Sequence, residues 1–339
     1  MRVCVTGATG FVGSHSVEAL SKMPEIEVVA ACRDPGRLPS GFRGETRVGD
    51  LRDENYLNNL LQDVDAVIHA AAWTSLWNHK EESMTLFLQP SLNLIRAAKR
   101  QGVQRFVFIS TVSVAAPKSS SAPMSEGSKR DYWPHEANVV TIENKLREMA
   151  DEKFCAVNLR LGLFAGSRYG LGLLPILVPR LKTHLVPWVA GGRTSLPIID
   201  GQDIGASAAL AATVKGLSGY EGFNVVGPEV PTVRDVINYL HTKHGLPRPH
   251  FSVPFPVAFG FAWLMERLDP IVPWEPLVTR SIVHLMQESS VDNRRAADRL
   301  GYHPKHHWKQ AVDTQLAEMA LRQEKPMKMA RPVSKRKQA

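Results

Sequence analysis

Cysteine is scarce in this chain. Cys4, Cys32 and Cys155 are the only ones in 339 residues, and none stands at metal-ligand spacing. That excludes a disulfide scaffold and a thiolate metal centre, and the apolar flanks predict reduced, buried thiols in a cytoplasmic protein. Membrane-length apolar runs are missing too. The mostly apolar stretch Val253–Met265 is thirteen residues long, whereas a spanning helix needs ~20. It is expected as a buried helix or the lining of an apolar pocket, ahead of a membrane-surface contact. No leader is expected, because the first apolar run stops at a glycine turn. There is no internal repeat. Acid is absent from the C-terminus, where Lys325, Lys328, Arg331, Lys335, Arg336 and Lys337 supply six of the eight net positive charges. The body is therefore nearly neutral and the tail, residues 321–339, reads as disordered and solvated. A weak membrane contact stays open for it, and specific nucleic-acid binding is not expected.

What is present begins at the N-terminus. Val3–Thr6 is an apolar strand that breaks into Gly7, Gly10 and Gly13, spaced three apart, with a helix directly behind. Unpaired amides at such a helix start favour a phosphate or diphosphate. Strand and helix then alternate. Strands are predicted at Glu27–Cys32, Val64–Ala70, Arg105–Ser110 and Cys155–Leu161, with helices at Gly13–Lys22, Ser83–Gln101 (interrupted at Pro90) and Asn138–Lys153. Alternation of continuous apolar strands with helices predicts an α/β fold, a doubly wound parallel (Rossmann) sheet with its crevice at the strands' carboxyl ends. Residues 1–161 form the expected cofactor-binding domain. Residues 162–320, richer in Gly and Pro, form a smaller substrate-binding part. Leu196–Ile199 and Phe223–Val226 are expected to return to the sheet, and Val233–His244 is an amphipathic helix.

Several motifs stand in order: Thr6-Gly7-Ala8-Thr9-Gly10-Phe11-Val12-Gly13, Gly49-Asp50-Leu51, Val67-Ile68-His69-Ala70-Ala71-Ala72, Phe106–Thr111, Leu159-Arg160-Leu161-Gly162, Pro197–Asp200 with Asp203, and Phe223–Gly227. With them the chain resembles the extended short-chain dehydrogenase/reductase family, the nucleotide-sugar epimerase and dehydratase group, over residues 1–315. Val253-Pro254-Phe255-Pro256 and Asp292–Ala296 are more loosely similar to its 3β-hydroxysteroid dehydrogenase-like branch. The resemblance implies a nicotinamide dinucleotide held by Gly7, Thr9, Gly10, Phe11, Val12 and Gly13. Asp50 and Leu51 would flank the adenine, and Ala70, Ala71 and Ala72 would border the nicotinamide side. At the end of the second strand Arg33 favours the 2′-phosphate of NADP(H), with NAD(H) left open through Asp34.

The resemblance breaks at the catalytic pair. The family's Tyr-x-x-x-Lys falls on Thr141-Ile142-Glu143-Asn144-Lys145, so the lysine is kept and the tyrosine is threonine. Thr111 fits the family's serine/threonine position, and the family's helical asparagine falls near Phe87. An aliphatic alcohol is a poor general acid beside a phenol. Tyr132, His135 and Tyr169 are the candidate replacements. Arg160 is expected to pair with an acid. Trp73 and Trp77 are candidate pocket-lining residues. His303, His306 and His307 lack a nearby carboxylate in sequence, so no metal site is expected.

Three functions follow from the resemblance. The leading one is an NADP(H)-binding oxidoreductase acting on a hydroxyl or carbonyl of a small, apolar substrate with an atypical catalytic site. The others are a non-catalytic cofactor-binding sensor or scaffold and an NAD-dependent epimerase/dehydratase. A homodimer through Ser83–Gln101 and Asn138–Lys153 is expected.

Overall fold

Strands buried on both faces need helices on both faces, and the sheet meets that need with helical crossovers. In the computed structural model, residues 1–116, 119–123, 132–170, 172–269, 271, 276, 278–285 and 291–324 are described. Strand β1 (Arg2–Thr6) buries Val3 and Val5 on one side and Cys4 on the other. Helix α1 (Phe11–Leu20), β2 (Glu27–Cys32), β3 (Glu45–Val48), α2 (Glu54–Leu60) and β4 (Ala66–His69) follow. Then come α3 (Gln89–Arg100), β5 (Arg105–Thr111), α4 (Pro134–Met149) and β6 (Cys155–Leu161). Beyond residue 162 the chain returns one more helix and strand, α5 (Gly201–Thr213) and β7 (Tyr220–Val225).

The seven strands run in the order β7-β6-β5-β4-β1-β2-β3, and each neighbouring pair is parallel. The order reverses between β1 and β4, which opens a crevice at their carboxyl ends. This is the doubly wound sheet the sequence predicts. One apolar layer joins Val12, Val17 and Leu20 of α1 and Ile204 and Ala208 of α5 to Val5, Ile68 and Leu159. The other joins Leu57 of α2, Leu94 of α3 and Ile142 and Leu146 of α4 to Cys4, Val67 and Phe106. Each large side chain so buried contributes about 1.5–3 kcal/mol before its ordering entropy is counted.

Some segments differ from expectation. The helix read at Ser83–Gln101 is an α-turn (Lys80–Ser83), a π-turn (Met84–Leu88) and then α3. Pro90 lies in the first turn of α3, where its missing N–H costs least, and the widened turn stands just before it. Strand Ile198–Asp200 pairs with Leu163–Ala165 outside the main sheet. The apolar stretch after Val253 is α6's successor: α6 (Val233–His244) is followed by α7 (Phe255–Leu268). Its buried residues are only Ala258, Ala262 and Glu266. The expectation of a buried helix is thus corrected: α7 packs through Ala258 and Ala262 with Phe255 and Phe259 half-buried, and turns Val257, Phe261, Trp263 and Leu264 outward. Residues 321–324, assigned from sequence to the tail, close the helix Trp308–Glu324. The basic residues from Lys325 onward lie outside the described residues. Among the described residues no helix is long and apolar enough to cross a membrane.

Candidate active site

The turn between β1 and α1 works only with glycine at two of its positions. Gly7 has φ +65°, and a Cβ there would stand 2.7 Å from the Ala71 backbone. A Cβ on Gly13 would stand 2.1 Å from the Gly7 carbonyl oxygen. Helix α1 therefore starts hard against the turn, and its N-cap, Gly10, offers no side-chain acceptor. The amides of Phe11, Val12 and Gly13 are left to an incoming anion.

A cleft of about 310 Å³ opens over this turn. Its walls include Gly7, Thr9, Gly10, Arg33, Asp50, Leu51, Ala70, Ala71 and Ala72, so most cofactor positions predicted from sequence meet around one space. A dinucleotide fits this cradle: bare amides for the diphosphate and a groove extending to both sides. Sequence reasoning missed Arg37, Arg52, Tyr56 and Ser91, which also line it. Arg52 lies two residues after Asp50 and is paired with it, Nη2 to Oδ2 at 2.6 Å and Nε to Oδ1 at 3.0 Å. That guanidinium holds the Asp50 carboxyl down to about 2. Asp34 accepts a hydrogen bond from the Gly36 amide at 3.0 Å and so caps the next turn. Among the described residues Arg33 and Arg37 form no ion pair at contact distance with a carboxylate, although the Arg33 charge helps to hold the Asp50 carboxyl down.

The floor of the other end is a directed hydrogen-bond chain. The Ala71 amide donates to Thr6 Oγ1 at 3.3 Å, and Thr6 Oγ1 meets His69 Nδ1 at 2.8 Å. On the far side His69 Nε2 meets Ser91 Oγ at 2.9 Å, and Ser91 donates to the Phe87 carbonyl at 2.6 Å. Because the Ser91 proton goes to the Phe87 carbonyl, Nε2 carries a proton, and in the neutral imidazole Nδ1 accepts from the Thr6 hydroxyl. Burial pushes the His69 imidazole down to about 4, in keeping with that state. Above the floor stand Trp73, Leu86, Phe87 and Pro90, an apolar wall.

Helix α4 carries the residues predicted to react, and a buried ion pair fixes it. Glu143 and Arg160 are both 0% exposed and joined at 2.6 Å. Arg160 Nε and Ser110 Oγ both donate to Glu143 Oε1, at 3.0 and 2.5 Å. Because Ser110 and Arg160 are register partners on β5 and β6, one carboxylate of α4 clamps two strand ends. The expected acid partner of Arg160 is thus Glu143, inside the Thr141–Lys145 pentapeptide itself. This sets α4 against β5, but Thr111, Thr141 and Lys145 are not among the residues that line the cleft.

The individual groups are engaged differently. Thr141 Oγ1 donates to Ala137 O at 3.0 Å, a bond back into its own helix. Lys145 Nζ reaches Glu148 at 2.8 Å, one turn further on. Thr111 Oγ1 and Ser113 Oγ lie 3.1 Å apart at the strand end. Phe87, expected near the family's asparagine position, is buried, stacked on Phe108 at 6.5 Å and tilted against His135 at 5.0 Å.

The three candidate replacements for the tyrosine are scattered. Tyr132 lies edge-on to Phe259 at 5.7 Å with the Arg280 guanidinium 4.7 Å over its ring. Burial pushes His135 down to about 4. Tyr169 stacks 4.4 Å from Phe11 at the diphosphate end, and burial pushes its phenol up to about 12, away from the acidity a proton donor needs. Trp133, Nε1 bonded to the Ser75 carbonyl at 2.9 Å, pins the loop carrying Trp73 and Trp77. His306 and His307 do have carboxylates, Asp203 at 2.9 Å and Glu229 at 2.5 Å, brought from elsewhere in the chain. Among the described residues no three His, Cys, Asp or Glu cluster as metal ligands. A larger hollow of about 550 Å³, lined by His184, Trp188, Arg234, Arg248 and His250 among others, holds none of the predicted site residues.

Residues 3–216 match the sequence profile of the NAD dependent epimerase/dehydratase family. The chain is 26% identical over 326 residues to a putative dihydroflavonol 4-reductase of Synechocystis, covering 91% of each protein. It is 24% identical over 333 residues to 4-hydroxy-2-methyl-3-oxo-4-farnesyl-3,4-dihydroquinoline-1-oxide ketoreductase of Stigmatella aurantiaca, covering 96% of this chain and 97% of that protein. Among solved structures, a UDP-glucose-4-epimerase of Stenotrophomonas maltophila with bound NAD superposes with a TM-score of 0.71 at 19% identity. That likeness covers 96% of this chain and 100% of the other.

Proposed function

The chain belongs to the NAD dependent epimerase/dehydratase family, and from that premise we propose an NADP(H)-using reductase for the carbonyl of a small apolar molecule. The observation that carries the reading is the cleft's asymmetry. At one end Arg33 and Arg37 form no ion pair at contact distance with a carboxylate among the described residues, while Trp73, Leu86, Phe87 and Pro90 form an apolar wall at the other. Guanidinium groups beside an ionised Asp50 already paired with Arg52 suit a 2′-phosphate better than a bare ribose diol. The names of the two curated relatives describe reductases, one of them for a farnesyl-bearing ketone, in line with the apolar wall.

The amides of Phe11, Val12 and Gly13 would hold the diphosphate, and Arg33 and Arg37 the 2′-phosphate. A nicotinamide cofactor held there would supply the hydride chemistry for the carbonyl carbon. Trp73 and Phe87 keep water from the apolar end. Lys145, swung from Glu148, would reach the ribose. Thr111 donates a hydrogen bond to the carbonyl oxygen, and the proton that completes the alcohol comes through it from solvent. Orientation contributes more of the rate than proton donation here.

The test is NADPH and NADH consumption against a panel of apolar ketones, with Arg33→Ala beside the native protein. Losing one charge-assisted contact should weaken NADPH binding about 10–100-fold and leave NADH binding nearly unchanged. Equal losses would remove the NADP(H) assignment. A second reading, a cofactor-binding protein without turnover, is favoured by the engagement of Thr141 with Ala137 and Lys145 with Glu148. Tight nucleotide binding with no ketone reduced would select it.

A further inference from the structure

Helix α7 (Phe255–Leu268) is apolar on its outward face as well as its inward one. Its inward face places buried Ala258 and Ala262, flanked by half-buried Phe255 and Phe259, against Val189 and Val283. Its outward stripe is Val257 at 57% exposure, Phe261 at 53%, Leu264 at 47% and Leu268 at 38%, with Trp263 at 46% beside it. Those positions recur at three- and four-residue spacing, so they form one continuous face. A row of large apolar side chains on a single helix face marks an interaction surface.

The charges around the stripe point to what covers it. Glu266, the one acid within α7, is buried and bound to Arg280 at 2.5 Å, so it adds no negative charge to the exposed face. The one exposed charge on that face is Arg267, whose guanidinium lies 5.5 Å over the Trp263 ring. An arginine beside a tryptophan at the edge of an apolar face suits the boundary between lipid headgroups and chains. Just before α7 the chain exposes Phe251, 51% accessible, next to the hollow whose charged lining is Arg234 and Arg248 with no carboxylate. The sequence then ends in six Lys or Arg residues and no acid after Glu324. A second copy of this chain, paired through this face, would bring Arg267 toward like charge. An anionic bilayer would not.

We propose that the exposed face of α7 docks on the surface of an anionic phospholipid membrane, lying in its interface without crossing it. The buried apolar area sets the attachment and the basic groups select the negatively charged leaflet. The inference stands whether or not the protein reduces ketones.

The test is flotation of the full-length protein with phosphatidylcholine vesicles, with and without phosphatidylserine, at low and high salt. Binding is expected only with phosphatidylserine and should weaken with salt. The double variant F261S/L264S, at exposed positions and so keeping the native melting temperature, should lose binding about a hundredfold. R267E should lose roughly tenfold. Undiminished binding of F261S/L264S, lost only on removing residues 325–339, would overturn the proposal in favour of a tail tether. Absence of vesicle binding would also overturn it, as would a soluble dimer that F261S/L264S splits.

Discussion

The two ends of the cleft hold their shape in opposite ways. At the diphosphate end the working groups are backbone amides at the start of α1, fixed by glycines that no other residue could replace. Its side chains, Arg33 and Arg37, are exposed cations at the rim. At the other end side chains do the fixing: the Thr6–His69–Ser91 chain, the Phe87–Phe108–His135 stack and the Glu143–Arg160 pair. A backbone site tolerates drift everywhere except at its glycines. A side-chain site can be remodelled group by group while the scaffold survives. On the reading proposed above, that difference is how a cofactor cradle stays intact while Thr141 and Phe87 stand where the family pattern has Tyr and Asn.

Thr141→Tyr should break this contrast most strongly. A phenol at 141 would lie one helical turn from Lys145, whose ammonium lowers its pKa, and would add the missing general acid. Turnover of any ketone the protein reduces should rise about 10²–10⁴-fold, read by steady-state NADPH consumption. A fall in kcat would mean that Thr141 itself serves the native chemistry. Glu143→Gln comes next. It leaves the Arg160 guanidinium buried without its counter-charge, which costs roughly 3–5 kcal/mol of stability. Urea unfolding should show that loss, and Glu143→Gln combined with Arg160→Met should recover most of it. If the single variant unfolds like the native protein, side-chain fixation of this end is refuted.

The glycine end was legible in sequence because its rule is local: a strand, three glycines and a helix within thirteen residues. The sheet was legible for the same reason, since strands covered on both faces read as unbroken apolar runs. β3 escaped because Glu45–Val48 is short and largely exposed, leaving no periodicity to see. Glu143 escaped as the partner of Arg160 because the pairing depends on which strand end α4 crosses. The face of α7 escaped for a third reason: thirteen uncharged residues do not say which side finds the protein. Only packing through Ala258 and Ala262 decides that.

Gly10→Val tests the backbone end with a moderate effect. Its Cβ would meet only the Gly7 carbonyl oxygen, at 3.2 Å, so the fold should survive. The rest of the side chain would stand over the amides of α1. Affinity for NADPH, measured by calorimetry, should fall about a hundredfold through loss of several charge-assisted bonds. Unchanged affinity would place the diphosphate elsewhere.

The smallest effect links the two ends. His69 is neutral and buried, pushed down to about 4, against an unfolded value near ~6.5. Below ~6.5 the unfolded chain takes up a proton that the native chain refuses until about 4. The stability from a neutral His69 is therefore complete above ~6.5, falls as pH drops through that window and is fully lost below it. Its slope is at most about 1.4 kcal/mol per pH unit. His15, on the back of α1 near Arg168, and His135, beside Phe87, are also pushed to about 4 by burial. Acid sensitivity should consequently belong to both ends, with each histidine giving a similar share. His69→Asn and His15→Asn should each flatten the urea stability profile between pH ~6.5 and ~4 by about a third. Flattening by His69→Asn alone would confine the sensitivity to the side-chain end. It would also make the imidazole beneath Ala71 the single point where protonation loosens the cleft.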